Sequence, residues 1–350
     1  MPPRAPRGRI DHVGAPASFA IDRNSAQLGI IGRVDNARRM QVVAGGLAAA
    51  VAVGAATRAT APLVERRLNH MSPRATLAAS PEARALHARL RVVDLHADTL
   101  LWERELLRRG DRGHVDLPRL RDGHVALQVF SSVTKTPRGL NLERNDDSSD
   151  LITALSIAQR QPRVTWKSLL QRSLHHAAKL ERAVERSGGQ LAFVRSRSDL
   201  LRILAARDAG SEPIGALFSV EGLHNLEGRL ENVAALHDTG MRMAGLTHFF
   251  DNDVAGSMHG VDKGGLTGFG RDVMAALDDL RVVVDLAHAS HRTVAEVLAV
   301  ADRPVVISHG GVQATSPVNR NMTDDEIRGI AATGGVTGIG LRVLAGALPA

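Results

Sequence analysis

The chain has 350 residues and not one cysteine. That absence excludes disulfides and thiolate metal sites, so any bound metal must be held by His, Asp, Glu or a modified Lys. Tyrosine is also absent, and aromatics make up only 3% of the residues. Hydrophobic content of 44% still supports a sizeable core. The net charge of +7 is confined to one end. Residues 1–80 hold 11 of the 44 Lys+Arg and 4 of the 37 Asp+Glu, leaving 33 of each sign for the remainder. A neutral main domain argues against a nucleic-acid face. Nor does any strand–Gly-x-Gly-x-x-Gly–helix unit occur, which removes the usual dinucleotide fingerprint; Gly264-Gly265 with Gly268 and Gly270 reads as a loop.

More than half of this excess charge sits in an Arg-, Pro-, Gly- and Ala-rich stretch. Residues 1–39 show no sustained apolar period and read as disordered or as an extension absent from the natural product. Arg38-Arg39 then precede an uncharged Ala-, Gly- and Val-rich run from Met40 to Ala56. A basic flank before such a run predicts a signal peptide or a single membrane anchor over 40–63, and hence an exported, periplasmic or membrane-anchored protein. Ala55-Ala56-Thr57 would suit cleavage, Met40 a true start, and residues 64–81 a linker.

From about residue 82 onward, short apolar runs alternate with helical patterns. Strands are expected at Val92–Leu95, Val125–Phe130, Ile214–Val220, Met241–Leu246, Val282–Leu286, Val305–Ile307 and Val336–Ile339, with a weaker one at Leu191–Val194. Helical spacing fills the gaps at Leu151–Gln161, Leu169–Arg186, Gly270–Asp279 and Thr293–Ala301. This alternation predicts the α/β class and a parallel sheet, best satisfied by a TIM-type (β/α)8 barrel.

Four strands end in metal-competent residues. Val92-Val93-Asp94-Leu95 leads into His96-Ala97-Asp98, and Phe218-Ser219-Val220 into Glu221. Val284-Asp285-Leu286-Ala287 leads into His288, and Ser308 into His309. Active sites of such barrels sit at the C-terminal ends of the strands, where several strands each contribute a residue. Imidazole and carboxylate together suit zinc. Five such donors exceed one tetrahedral site that keeps an open position, so two metals are expected, with Glu221 as the natural bridge. No lysine follows a strand closely enough to serve as a carboxylated bridge; Lys135, Lys167, Lys179 and Lys263 fall in loops or helices. His114-Val115-Asp116 lacks a preceding strand and reads as a loop. His175-His176 read as surface positions on a helix, His224 as a loop residue, and His291 as a helix start.

These residues resemble the membrane (renal) dipeptidase family of binuclear zinc peptidases. The matching segments are Val93–Asp98, Ser219-Val220-Glu221-Gly222, Gly240 through Leu246-Thr247-His248, Asp285–His288, and Ser308-His309 through Arg320-Asn321, in family order over roughly residues 90–340. The resemblance implies a zinc-dependent dipeptidase with a dipeptide as substrate, and a homodimer. It implies that His96 and Asp98 hold one zinc and His288 and His309 the other, with Glu221 between them. His248 would bind the substrate carbonyl and stabilise the oxyanion, and Arg320 would pair with the substrate carboxylate.

One departure stands out. The family carries an Asp on its last barrel strand that handles the proton of the leaving amine, whereas Leu341–Ala350 holds no Asp. The expectation is a barrel over 82–350 truncated before its last strand, with marginal stability and poor activity. Two alternatives accompany the dipeptidase reading: another barrel amidohydrolase cleaving a C–N or ester bond, and an inactive metal-binding fragment.

Overall fold

Each of the eight apolar runs forms a strand in the computed structural model, which describes residues 61–71 and 79–340. The strands are β1 (Val92–Ala97), β2 (Val125–Val133), β3 (Leu191–Phe193), β4 (Ile214–Glu221), β5 (Met241–Gly245), β6 (Val283–Asp285), β7 (Val306–Gly310) and β8 (Val336–Ile339). All their pairings are parallel. They form one sheet in the order β1-β2-β4-β5-β6-β7-β8, with β3 attached to β4. Helices connect successive strands, which makes this a nearly closed (β/α)8-type barrel.

The expected truncation before the last strand is not borne out: β8 is present and all eight strands join one sheet, though not all along a single path. β3 and β5 divide one edge of β4 between them: β3 pairs with Ile214–Ala216, and β5 with Phe218–Glu221. The path therefore holds seven strands and runs from β1 to β8, which do not pair with each other among the described residues. Burial follows this topology. In the middle of the sheet Phe130, Ala216, Phe218, Val220 and Met241 are all buried, because helices cover one face and the barrel interior the other. At the two ends Val93, Val336 and Ile339 are 45%, 54% and 61% exposed.

Helix starts are written in the sequence. Ser168, Ser196, Thr267, Ser290 and Thr323 each cap a helix by accepting a backbone N–H, and Thr323 forms a full capping box with Glu326. Two readings change. Residues 61–68 are helical, and Glu65 is buried with ion pairs to Arg104 (3.0 Å) and Arg112 (3.1 Å), so the start of the expected linker is docked rather than free. His176 is not a surface residue. Its helix, Leu169–Arg186, turns it into the core, where its Nδ1 meets the Ser132 hydroxyl at 2.8 Å. Among the described residues no helix is long and apolar enough to cross a membrane. Of the stretch expected to anchor or export the chain, 40–63, residues 40–60 lie outside the described residues, as do residues 1–39, and 61–63 open the docked helix.

Candidate metal centre

Glu221 is the last residue of β4, and it is buried among imidazoles from four other strand ends. Its Oε1 lies 3.1 Å from His288 Nε2, 3.4 Å from His309 Nε2 and 3.7 Å from His96 Nε2. Its Oε2 lies 3.4 Å from His248 Nε2. The donor atoms of His96, Glu221 and His309 form one tight group, and those of Glu221, His248 and His288 another, each with all atoms within 4.8 Å. Glu221 belongs to both. Asp98 joins through His96, whose Nε2 stands 2.9 Å from Asp98 Oδ1.

Local backbone explains how these side chains converge. Gly222 follows Glu221 at φ 86°, and a Cβ there would come within 2.5 Å of the His224 ring. Only glycine lets the chain turn away so tightly after delivering the carboxylate. His288 itself has φ 66°, a costly conformation for a residue with a Cβ. It is held there by Met258 N–H and the Ser257 hydroxyl, both donating to its carbonyl, and by the Ser290 cap two residues on. Asp285 Oδ1 accepts from the backbone N–H groups of Ala287 (3.0 Å) and Ser308 (2.9 Å), tying the ends of β6 and β7 together. Asp98 falls one residue beyond β1, so the turn into the short helix Thr99–Leu101, rather than strand alternation, brings it to His96.

The electrostatics favour a cation. Burial pushes the Glu221 carboxyl up, and it pushes His248, His288 and His309 well below the usual histidine range. Neutral rings keep their lone pairs, which is the ligating form. His288 Nε2 and His309 Nε2 face each other at 3.0 Å, where two N–H groups could not both fit. Burial would lower His96 too, but Glu221 and Asp98 beside it raise it to about 10. Carboxylate and imidazole donors without thiolate match the hard-to-borderline divalent ions. The residues therefore fit a metal. Binding must expel the protons that Glu221 and His96 otherwise retain, so apparent zinc affinity is expected to rise with pH below about 10. The slope should be about tenfold per pH unit for each proton displaced. Calorimetry in buffers of differing ionisation enthalpy would count those protons; a pH-independent affinity would contradict this electrostatic picture.

Arg320 reaches the same site from the loop after β7. It is buried, its Nη2 donates to the His309 carbonyl at 2.8 Å, and its Nη1 has no protein partner. Burial lowers it to about 10, and it stays charged at neutral pH. The other histidines sort differently. Asp116 of the His114-Val115-Asp116 segment caps the helix Leu117–Asp122. His291 opens the helix His291–Leu298 and bonds Glu326 at 2.7 Å. His224 lies in a short 3-10 turn rather than an open loop, buried, with Nε2 2.7 Å from the Thr134 hydroxyl. Sequence reasoning passed over His259 altogether. It is fully buried, its ring centroid 5.1 Å from that of His288, and burial pushes it down to about 4. Its only sequence signal is a His-Gly pair in a long loop.

A parallel barrel whose strand ends gather a buried carboxylate and imidazoles around one point is built as a metallohydrolase. The chain belongs to the membrane dipeptidase family, peptidase family M19, whose family model matches residues 80–346. It is 28% identical over 231 residues to an uncharacterized dipeptidase of Schizosaccharomyces pombe, covering 65% of this chain and 50% of that protein. It is 26% identical, also over 231 residues, to the dipeptidase aclJ of Aspergillus oryzae, covering 65% of this chain and 49% of that protein. The chain thus spans about half the length of the curated relatives it matches. Its fold is similar to that of a metallo peptidase from Rhodobacter sphaeroides liganded with a phosphinate mimic of L-Ala-D-Ala. That match has a TM-score of 0.56 at 22% identity and covers 71% of this chain and 73% of the other. The probable dipeptidase PvdM from Pseudomonas aeruginosa gives a TM-score of 0.57 at 20% identity, with 74% and 62% covered.

Proposed function

We propose that this protein hydrolyses dipeptides with two zinc ions, held by His96, Asp98, Glu221, His288 and His309, with Glu221 serving both. The carrying observation is the Glu221 carboxylate standing 3.1–3.7 Å from four imidazole nitrogens contributed at or just beyond the ends of four other strands. Bound zinc lowers the pKa of water and polarises a carbonyl, which supplies the nucleophile and the electrophile of peptide hydrolysis.

The chain's own residues do the rest. The unpartnered Arg320 Nη1 is a buried, charged donor suited to a free carboxylate, the group every dipeptide carries next to its scissile bond. His248 Nε2, beside Glu221 Oε2, would donate to the carbonyl oxygen as negative charge develops on it. Burial excludes water and strengthens both interactions. Export, membrane anchoring and homodimer formation belong to the same proposal and are supported by the sequence pattern and the family resemblance alone.

The test is amino-acid release from an unmodified dipeptide by the purified chain. Release should disappear on chelation and return with zinc. Zinc-independent release, or none with the ions bound, would contradict the assignment.

A further inference from the structure

His259 occupies a place that the roles above leave unexplained. It lies in the loop after β5, and its ring packs against Phe249 (4.9 Å between centroids) and His288 (5.1 Å). Its Nδ1 is 2.7 Å from the Leu142 carbonyl. A carbonyl only accepts, so Nδ1 carries the proton and Nε2 presents a bare lone pair. That Nε2 is buried and has no partner in the protein. A buried acceptor left unpaired is destabilising, and native structures retain few of them without a functional reason.

The surroundings indicate what it accepts. Asn319, next to Arg320, donates through its side chain to the carbonyl of Met258, next to His259. Met258 N–H in turn donates to the His288 carbonyl at 2.9 Å. The loop carrying the guanidinium and the loop carrying the imidazole are thereby pinned side by side at the metal cluster. One offers an unpaired donor, Arg320 Nη1, and the other an unpaired acceptor, His259 Nε2. In a dipeptide the C-terminal carboxylate and the scissile amide N–H are attached to the same Cα. A donor and an acceptor placed together match that pair.

We propose that His259 is a substrate-positioning residue whose Nε2 accepts the N–H of the scissile amide while Arg320 holds the neighbouring carboxylate. This rests on the dipeptidase reading. His259 also has a structural duty, because its carbonyl accepts from Asn145 N–H (2.7 Å) and its ring holds Leu142. The test must separate the two.

His259→Asn keeps a donor near the Nδ1 position and deletes the acceptor; His259→Gln places an amide oxygen near the Nε2 position. Each variant, zinc-loaded, would be measured on a dipeptide and on its phosphinate analogue, in which CH2 replaces the amide N–H. His259→Asn should lower kcat/KM for the dipeptide about ten- to a hundredfold, as expected for a lost buried hydrogen bond. Its Kd for the phosphinate, read by calorimetry, should change less than about twofold. His259→Gln should recover part of the dipeptide activity. Parallel losses of dipeptide turnover and phosphinate affinity would make His259 merely a loop pin and overturn the proposal. Wild-type protein that neither binds the phosphinate nor cleaves the dipeptide would instead overturn the dipeptidase reading beneath it.

Discussion

Glu221→Gln is expected to abolish paired zinc binding and to lower dipeptide hydrolysis by about three orders of magnitude, equivalent to about 4 kcal/mol of transition-state stabilisation. The substitution is close to isosteric, so packing around β4 is preserved. What it removes is the negative charge between four imidazoles and the ability of one side chain to serve two cations. The two groups of donor atoms that converge on Glu221, one with His96 and His309 and one with His248 and His288, would lose the carboxylate they share. The raised His96 would fall as well, because Glu221 is the largest of the charges holding it up, ahead of Asp98 and Asp285. Zinc content by elemental analysis, read beside kcat/KM and the circular dichroism spectrum, checks this. A Glu221→Gln protein that keeps both ions and its activity would remove Glu221 from the centre.

Arg320→Met is expected to act on recognition instead. The wild-type protein should prefer a dipeptide over its C-terminal carboxamide, because only the carboxylate pairs with the buried guanidinium. The variant should lose about a hundred- to a thousandfold in kcat/KM on the dipeptide, about 3–4 kcal/mol, and little on the carboxamide. Methionine fills much of the same volume and carries no charge. Because Arg320 Nη2 also supports the His309 carbonyl, zinc content should be measured in parallel. Equal losses on both substrates with zinc retained would favour a different barrel amidohydrolase, one whose substrates need no free carboxylate.

Much of the fold was legible because a parallel barrel writes itself twice. Strands buried on both faces read as continuous apolar runs, and Ser or Thr caps mark the helices between them. Residues such as Ala216, Phe218 and Val220 on β4 show this directly. The cluster was legible because His96, Glu221, His288 and His309 each follow such a run. Other features are three-dimensional and leave no local trace. Nothing in Leu191–Phe193 reveals that β3 shares an edge of β4 with β5, since that depends on where β5 pairs. His176 sits on a helix whose inward face is set by Ser132 and Ser173, so a histidine pair there reads as polar surface until the helix is docked. His259 is chosen by two loops meeting, at Leu142 and at Asn319, far apart in the chain. Asp98 meets His96 through the turn after β1 and not through strand alternation, which the spacing alone does not reveal.

The binuclear centre is the claim on which everything else depends, and counting zinc tests it most directly. The metal-free chain would be titrated with zinc at about pH 8 and the bound equivalents measured by calorimetry and elemental analysis. Two equivalents per chain, falling to one or none in Glu221→Gln, is the predicted result. No more than one equivalent in the unaltered chain, or binding that ignores the loss of Glu221, would contradict it.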